Sequence, residues 1–216
     1  MWKASNMKRI LIIDDHEVLR EGVKRIFDKQ PGTFVFGEAG TAPQALKLAR
    51  DEKWDVAVLD LNLGGRDGLE LLKELKQIHA KLPVLILSMH SEELFARRAF
   101  KAGAAGYITK NSPRAELVKA ISRVIEGGTY VDAGFAERFV VDVTRGADRP
   151  IHDMLSDREF EVMRLIGSGK TVSEIADHLS LSVGTISTYR ARILDKTGMK
   201  TNAELTHYAI QNKLVD

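Results

Sequence analysis

Ile10-Leu-Ile-Ile-Asp-Asp15 is a run of four apolar residues that ends in two aspartates. The same pattern returns at Val56-Ala-Val-Leu-Asp60, where a second apolar run ends in an aspartate. Both runs have the length of a short strand, and they lack the polar alternation of a strand that faces water on one side. They therefore predict two strands of a parallel sheet that is buried on both faces.

Three further apolar runs, at residues 34–36, 84–87 and 107–108, complete a repeating pattern. Each of the five runs is followed by apolar residues at helical spacing, for example Leu69, Leu72 and Leu75 after the run that ends in Asp60. Regular alternation of strand and helix is typical of an α/β fold with helices on both faces of the sheet. The first part of the chain is thus predicted to be a (βα)5 unit, whose last helix ends at Gly127-Gly128.

After residue 153 the strand pattern disappears, and signals for the start of a helix replace it. Three segments have the capping-box form, in which a hydroxyl and a glutamate bind the free N–H groups at a helix start: Ser156-Asp-Arg-Glu159, Thr171-Val-Ser-Glu174 and Thr201-Asn-Ala-Glu204. With Ser182 before Val183, they predict helices at about 156–167, 171–179, 182–197 and 201–212. Residues 129–152 are predicted to be a linker with a short helix at roughly 132–144 and a flexible hinge at 145–150.

The amino-acid composition excludes several kinds of site and segment. The chain of 216 residues contains no cysteine, which excludes disulfides, thiolate catalysis and cysteine-ligated metal sites. No apolar run approaches the roughly 20 residues of a membrane span, and the N-terminus lacks the apolar core of a secretory signal. These features predict a cytoplasmic protein without a membrane partner.

The net charge of +2 does not by itself indicate a nucleic-acid partner. Residues 1–128 hold 21 lysines and arginines against 17 aspartates and glutamates, a net +4, whereas residues 153–216 hold 8 against 9, a net −1. Within residues 184–200, however, four cations stand against Asp195 alone, a local +3. DNA binding by the C-terminal part would therefore depend on this local patch.

Polar residues follow the predicted strands at the edge where ligands collect in an open parallel sheet. They are Asp14 and Asp15 after the first strand, Asp60 after the third, Ser88 after the fourth, and Thr109-Lys110 after the fifth. Carboxylates grouped in this way suit a hard cation such as Mg2+, and a lysine with a hydroxyl suits a phosphoryl group. For any one of these residues alone, an ordinary strand end or surface ion pair remains an alternative.

Residues 8–128 resemble the receiver domains of response regulators. The matching residues are Asp14-Asp15, Asp60 in Val58-Leu-Asp-Leu-Asn-Leu-Gly-Gly-Arg-Asp-Gly68, Ser88 in Leu87-Ser-Met-His90, and Lys110 in Gly106-Tyr-Ile-Thr-Lys110. The resemblance implies that Asp60 accepts a phosphoryl group from a cognate sensor histidine kinase. It also implies that Mg2+ is bound directly by Asp15, Asp60 and the backbone carbonyl of Asn62, and by Asp14 through water. Ser88 and Lys110 would hold the phosphoryl oxygens, and Tyr107 would swing inward on activation.

Residues 171–190 are predicted to form a helix, a tight turn and a second helix. Ile175, Ala176, Leu179, Val183, Ile186 and Ile193 are expected on the buried side, with Leu181 in the turn. The exposed side suits a helix that enters the major groove. The short side chains of Ser187, Thr188 and Ala191 would contact bases. The cations would contact phosphates, and they are Arg190, Arg192, Lys196 and Lys200. On periodicity alone, a plain helical bundle with a solvated cationic face remains possible.

Residues 153–214 resemble the LuxR-type output domain, notably in Leu155-Ser-Asp-Arg-Glu159, Val183-Gly-Thr-Ile186 and Tyr189. Joined to a receiver, this resemblance identifies the chain as a member of the NarL/FixJ family of response regulators. The implied fold is a (βα)5 flavodoxin-like receiver domain at 8–128, the linker at 129–152, and a small all-α helix-turn-helix domain at 153–216. Double-stranded DNA is the implied partner, with a homodimer on phosphorylation or DNA binding.

Family precedent makes the final helix, with Leu205, Tyr208 and Ala209, a dimer contact. The isolated histidines His152, His178 and His207 are expected at the surface and not as metal ligands. Two positions depart from the family pattern. Gly64 stands where proline is usual, which predicts a more mobile loop after Asp60, and Thr197 stands where leucine is usual, which predicts looser packing.

Two other functions compete with this interpretation. A Mg2+-dependent phosphatase also uses an aspartate at a strand end, but such enzymes carry a second aspartate two residues later, where this chain has Asn62. The chain is therefore not expected to be an enzyme. A receiver that acts only through protein contacts is the second competitor, and the helix-turn-helix pattern argues against it.

Overall fold

The computed structural model describes residues 7–27, 34–63, 66–89, 92–132, 136 and 150–215, without the side chains of residues 66 and 92–94. The chain divides into two compact units, residues 1–141 and 142–216. Most of the predicted linker helix, the hinge at 145–149 and the Gly64 position lie outside the described residues. Among the helices of the described part, none combines the length and apolar character needed to cross a bilayer.

The N-terminal unit contains all five predicted strands. They are β1 (Lys8–Ile13), β2 (Phe34–Ala39), β3 (Val56–Leu59), β6 (Val84–Ser88) and β7 (Gly106–Thr109). All five pair in parallel in one sheet, in the order β2-β1-β3-β6-β7. A hairpin of two short strands, β4 (Asn62–Leu63) and β5 (Arg66–Asp67), follows β3 and was not predicted.

Helices connect the strands, and the predicted (βα)5 unit is confirmed. They are α1 (Glu17–Ile26), α2 (Ala42–Asp51), α3 (Gly68–Ile78), α4 (Glu92–Lys101) and α5 (Arg114–Ile125). The central strands are almost completely buried, as the continuous apolar runs require. On one face of the sheet, Ile12, Val58 and Leu85 pack with Val23 of α1 and Ile121 of α5.

After α5 the chain returns to the outer edge of the sheet. Tyr130 donates its N–H to the carbonyl of Ala105 (3.1 Å) and accepts the N–H of Tyr107 (2.9 Å). Its hydroxyl donates to Glu116 of α5 at 2.6 Å. A side chain at Gly106 would bring its Cβ to 2.9 Å from the Tyr130 carbonyl, so glycine permits this close approach. Tyr130 thus covers part of the free edge of β7.

The C-terminal unit begins with a single 3-10 turn at Ile151–Met154, followed by four helices. The helices are α6 (Asp157–Gly167), α7 (Val172–His178), α8 (Val183–Thr197) and α9 (Asn202–Gln211), which confirms the four predicted segments. Complete capping boxes begin α6 and α7. The predicted third box is only half formed, because Glu204 accepts the N–H of Lys200 (2.8 Å) instead of that of Thr201.

The burial of the side chains predicted to face inward in the C-terminal unit agrees with the prediction except at Val183. Ile175, Ala176, Leu179, Ile186 and Ile193 are buried as expected, but Val183 is 52% exposed. Val183 is the first residue of α8, and the buried contacts of that helix begin one turn later. Thr197 donates its hydroxyl to the carbonyl of Ile193 (2.7 Å), a bond within the helix that leucine could not make.

The assignment of Leu205 and Ala209 to a dimer contact is wrong. Both side chains have no exposed surface, because α9 packs them into the core of its own unit. His152, predicted at the surface, is only half-buried, but its ring has partners within the unit. Its Nδ1 lies 3.0 Å from the hydroxyl of Tyr208, and its ring packs 5.6 Å from that of Phe160. His178 and His207 are exposed, as predicted.

Candidate functional site

Three buried charged groups meet at the carboxyl edge of the sheet. The ammonium nitrogen of Lys110 lies 2.7 Å from a carboxylate oxygen of Asp14 and 2.7 Å from one of Asp60. The three side chains are 6%, 5% and 3% exposed, respectively. Because water is largely excluded, the attraction between these charges is screened much less than in an ion pair at the surface. The lysine holds together two carboxylates that would otherwise repel each other.

The backbone places these residues side by side. β1 and β3 pair Ile13 with Leu59, so Asp14 and Asp60 leave adjacent strands at the same level. The N–H of Asp60 continues the ladder by donating to the carbonyl of Ile13 (2.9 Å). On the other side, Lys110 donates its N–H to the carbonyl of Ser88 (2.8 Å), which keeps Lys110 at the end of β7. The cluster therefore follows from the strand order of a parallel sheet.

Burial and Lys110 act in opposite directions on Asp60. Burial raises the pKa of the Asp60 carboxyl, while hydrogen bonding and charge attraction from Lys110 oppose that increase, and the net pKa stays above the ordinary value. For Lys110, burial would lower the pKa, but its hydrogen bonds to Asp14 and Asp60 outweigh burial and raise it. The lysine therefore remains charged over the whole physiological range.

Asp15 and His16 complete an acidic cluster around Asp60. One ligand atom from each of Asp14, Asp15, His16 and Asp60 lies within 4.8 Å of the others. Three carboxylates at this spacing fit a hard cation that prefers oxygen ligands. His16 was not predicted: its ring Nδ1 lies 2.7 Å from Asp15, and its backbone N–H donates to Asp14 (2.8 Å).

The other predicted residues of the receiver lie on β4, β6 and β7 or directly after β6. Asn62 is exposed and donates its N–H to Asp60 (3.2 Å), so its backbone borders the carboxylate. Ser88 is fully buried at the end of β6, in register with Thr109. Tyr107 is also fully buried, so its ring already lies inside the protein. Met89, directly after Ser88, is 63% exposed.

The residues predicted to meet DNA lie along α8 and just beyond it. Ser187, Thr188, Ala191, Arg192 and Lys200 are exposed. Arg190 is half-buried, and its Nε lies 2.5 Å from the side-chain oxygen of Asn202 at the start of α9. The hydroxyl of Thr188 donates to the carbonyl of Gly184 (3.0 Å), which leaves its oxygen free to accept.

Lys196 has a structural contact that the sequence did not indicate. Its ammonium nitrogen lies 2.6 Å from the carboxylate of Glu159, whose side chain is only 4% exposed. Glu159 also accepts the N–H of Ser156 at 2.8 Å, as part of the capping box of α6. Lys196 thus joins α8 to the start of α6, while 40% of its own side chain remains exposed.

Comparison with protein families assigns both units. Residues 10–122 match the response regulator receiver domain, and residues 153–209 match the bacterial regulatory proteins of the luxR family. Together these matches cover most of the chain. The first contains the acidic cluster with Lys110, and the second contains α6, α7 and α8.

Similar proteins extend over the full length of the chain. The response regulator UvrY of Escherichia coli (strain K12) is 33% identical over 210 residues, 96% of this chain and 96% of UvrY. The response regulator GacA of Pseudomonas aeruginosa is 34% identical over 212 residues, 97% of this chain and 99% of GacA.

Solved structures agree with these matches. A LuxR-family response regulator from Aurantimonas sp. SI85-9A1 is 36% identical, with a TM-score of 0.58 over 64% of this chain and 99% of that one. RcsB of Salmonella typhimurium, at 24% identity, shares the fold with a TM-score of 0.65 over 94% of this chain and 96% of that one. The chain therefore belongs to the NarL/FixJ-type response regulators, the transcription regulators of two-component systems in which a receiver domain is joined to a LuxR-type DNA-binding domain.

Proposed function

We propose that a cognate sensor histidine kinase phosphorylates Asp60, and that phosphorylation controls dimerisation and sequence-specific binding to double-stranded DNA. The receiver comprises residues 8–128, the linker residues 129–152, and the DNA-binding domain residues 153–216. One observation carries the proposal: the buried Lys110 ammonium bridges Asp14 and Asp60 at 2.7 Å each. A lysine in this position can transfer its contact from the Asp60 carboxylate to the oxygens of a phosphoryl group.

Mg2+ is the proposed cofactor of this step. Asp15, Asp60 and the backbone carbonyl of Asn62 would bind it directly, and Asp14 through water, in agreement with the close spacing of the carboxylates. Bound there, the cation supplies positive charge that offsets the charge of the phosphoryl group. Side chains of the protein supply the nucleophile and the groups that bind the phosphoryl oxygens.

Asp60 is the nucleophile, so it reacts as the carboxylate. Lys110 favours this form by opposing the effect of burial on the pKa of Asp60. As the new bond between oxygen and phosphorus forms, the bond to the leaving group breaks and the histidine of the kinase departs. Lys110 and the hydroxyl of Ser88 then hold the phosphoryl oxygens. Tyr107, whose ring is already buried, is the proposed aromatic switch residue.

DNA binding is assigned to the exposed face of α8. Ser187, Thr188 and Ala191 have short side chains that let a helix lie deep in the major groove, where they reach base edges. The cations Arg190, Arg192, Lys196 and Lys200 bind phosphates. Lys196 has three N–H donors, and its contact with Glu159 leaves others for a phosphate. Because residues 153–216 carry a net −1, tight binding requires a dimer on paired half-sites.

The chain is proposed to act as a switch in the cytoplasm and not as an enzyme that turns over substrate. A phosphatase of related architecture would need a general acid two residues after the nucleophile, and Asn62 cannot supply a proton there. A phosphorylated Asp60 that persists supports regulation, whereas rapid release of phosphate from a generic phosphomonoester would support the phosphatase.

Intact-mass measurement tests the assignment of Asp60. After treatment with acetyl phosphate and Mg2+, the wild-type chain should gain about 80 Da, one phosphoryl group. Asp60→Ala should gain nothing, because the proposal assigns the phosphoryl group to Asp60 alone, although Asp14 contacts the same lysine. Asp55→Asn is the matched control, because Asp55 pairs with Lys8 and lies outside the cluster. An adduct that persists in Asp60→Ala would refute the assignment.

A further inference from the structure

Arg20 of α1 reaches the backbone of the acidic cluster. Its Nη1 donates to the carbonyl oxygen of Asp14 at 2.8 Å. Its Nε donates to the carboxylate of Glu38 on β2 at 3.1 Å. The Arg20 side chain is only 15% exposed, so both bonds are partly shielded from water. A guanidinium with a planar fork of donors can make these two contacts together in one fixed orientation.

The carbonyl that Arg20 binds belongs to the peptide between Asp14 and Asp15. Asp14 and Asp15, the two carboxylates of the proposed Mg2+ site that follow β1, lie on either side of this peptide. The same segment is held from β2, where the N–H of Asp14 donates to the carbonyl of Ala39 (3.1 Å). Rotation of the peptide would change the direction of both carboxylates, and the bond to Arg20 resists that rotation.

Glu38 keeps Arg20 in this position. Its carboxylate also accepts from Lys24, 2.5 Å away, one turn further along α1. The hydrogen bond from Lys24, helped by the one from Arg20, outweighs burial and lowers the pKa of Glu38, so the carboxylate is ionised near neutral pH. Lys24 shares Glu38 with Arg20 but makes no contact with Asp14 among the described hydrogen bonds. The two cations therefore differ in their contact with the acidic segment.

We propose that Arg20 is a positioning residue for the phosphorylation site. Its guanidinium fixes the Asp14–Asp15 peptide, so that the two carboxylates are aimed at one cation together with Asp60. The inference rests on the proposed function of Asp60. Residues that orient metal ligands change metal affinity by about 10- to 100-fold when they are replaced. The effect of Arg20 should therefore appear first in metal affinity, and in the reaction rate only when metal is limiting.

The test compares Arg20→Met, Arg20→Lys and the matched control Lys24→Met in the full chain. Free Mn2+ measured by electron paramagnetic resonance gives the affinity for a divalent cation without any reaction. The Mg2+ concentration for half-maximal phosphorylation by acetyl phosphate gives the second measurement. Trp54 fluorescence during urea unfolding reports whether the receiver of each variant is folded, since Trp54 lies in this unit.

We expect Arg20→Met to weaken Mn2+ binding about 10-fold or more. The Mg2+ requirement should rise by a similar factor, and the rate at saturating Mg2+ should remain close to wild type. Lys24→Met should match wild type in both measurements. Arg20→Lys, which keeps the charge but not the fork, should lie between the two. If Arg20→Met is unfolded, the Arg20→Lys variant decides the question by the same comparison.

The outcomes separate this inference from the proposed function. If wild type binds Mn2+ and is phosphorylated, but both Arg20 variants have wild-type affinity, the inference is overturned alone. An equal loss of affinity in Lys24→Met would also overturn it, because removing charge near Glu38 would then be sufficient. A wild-type chain that neither binds Mn2+ nor gains a phosphoryl group would overturn the proposed function and the inference with it.

Discussion

Replacing Lys196 by methionine should destabilise the C-terminal unit, because it leaves the carboxylate of Glu159 buried without its cation. Removing one partner of a fully buried ion pair costs about 3–5 kcal/mol, whereas an exposed pair contributes about 0–1 kcal/mol. Here Glu159 is 4% exposed, but Lys196 is 40% exposed and its attraction is screened by water. Glu159 also keeps the N–H of Ser156. We therefore expect the free energy of unfolding of the C-terminal unit to fall by about 1–2 kcal/mol.

For a domain of this size, each kcal/mol lowers the melting temperature by about 4–8 °C, so Lys196→Met should shift the C-terminal transition by roughly 5–15 °C. Far-UV circular dichroism of the full chain measures this shift. Both tryptophans, Trp2 and Trp54, precede residue 142, so their fluorescence reports the N-terminal unit and should not change. A C-terminal transition at the wild-type temperature would refute the reasoning.

The same pair predicts how stability depends on pH. Burial would raise the pKa of Glu159, but hydrogen bonds from Lys196 and Ser156 outweigh it and lower the pKa below its ordinary value. The stabilisation is therefore fully present above about pH 4.3, the ordinary value for glutamate, and is lost as pH falls through the lower folded pKa. In Lys196→Met the folded pKa rises and the difference from the unfolded pKa shrinks, so acidification should reduce the stability of the C-terminal unit less than in the wild type.

Two further changes test the receiver and the DNA-binding helix. Met89→Ala should shorten the lifetime of phosphorylated Asp60, because the bulky Met89 crowds the approach of water; Met7→Ala, equally exposed before β1, is the control. An unchanged or longer lifetime in Met89→Ala would contradict this idea. Arg192→Ala should weaken binding to target and scrambled duplexes alike and flatten the plot of log affinity against log salt by about one unit. Ser187→Ala should instead change the preferred sequence, and Lys213→Ala should change neither. Equal loss on both duplexes for Ser187→Ala, with none for Arg192→Ala, would mean that α8 is oriented differently.

The acidic cluster could be predicted from the sequence because the backbone alone brings its residues together. Once the runs that end in Asp14 and Asp60 are identified as parallel strands of one sheet, their carboxyl ends share an edge whatever the side chains do. His16 and Arg20 were missed for the opposite reason. Their contacts depend on the direction of a side chain from a loop and from a helix face, which apolar spacing does not encode.

The errors in the C-terminal unit have a common cause. Periodicity identifies the apolar side of a helix, but it does not say whether the core of the same unit or a second chain covers that side. Leu205 and Ala209 were assigned to a partner and lie in the core, whereas Val183 was assigned to the core and lies at the surface. The β4–β5 hairpin was missed because two-residue strands are too short to show alternation.

The contacts of Tyr130 limit where the receiver domain can be joined to the output domain of another protein. A chimaera that keeps residues 8–128 and attaches a foreign output domain would lose the residue that pairs with Ala105 and Tyr107. Their backbone groups would then form an open strand edge, which is a template for pairing with other chains and for aggregation. A junction placed after Tyr130 keeps this part of the edge paired. The practical limit of the transplantable receiver is therefore set by a hydrogen-bonding residue beyond its last helix.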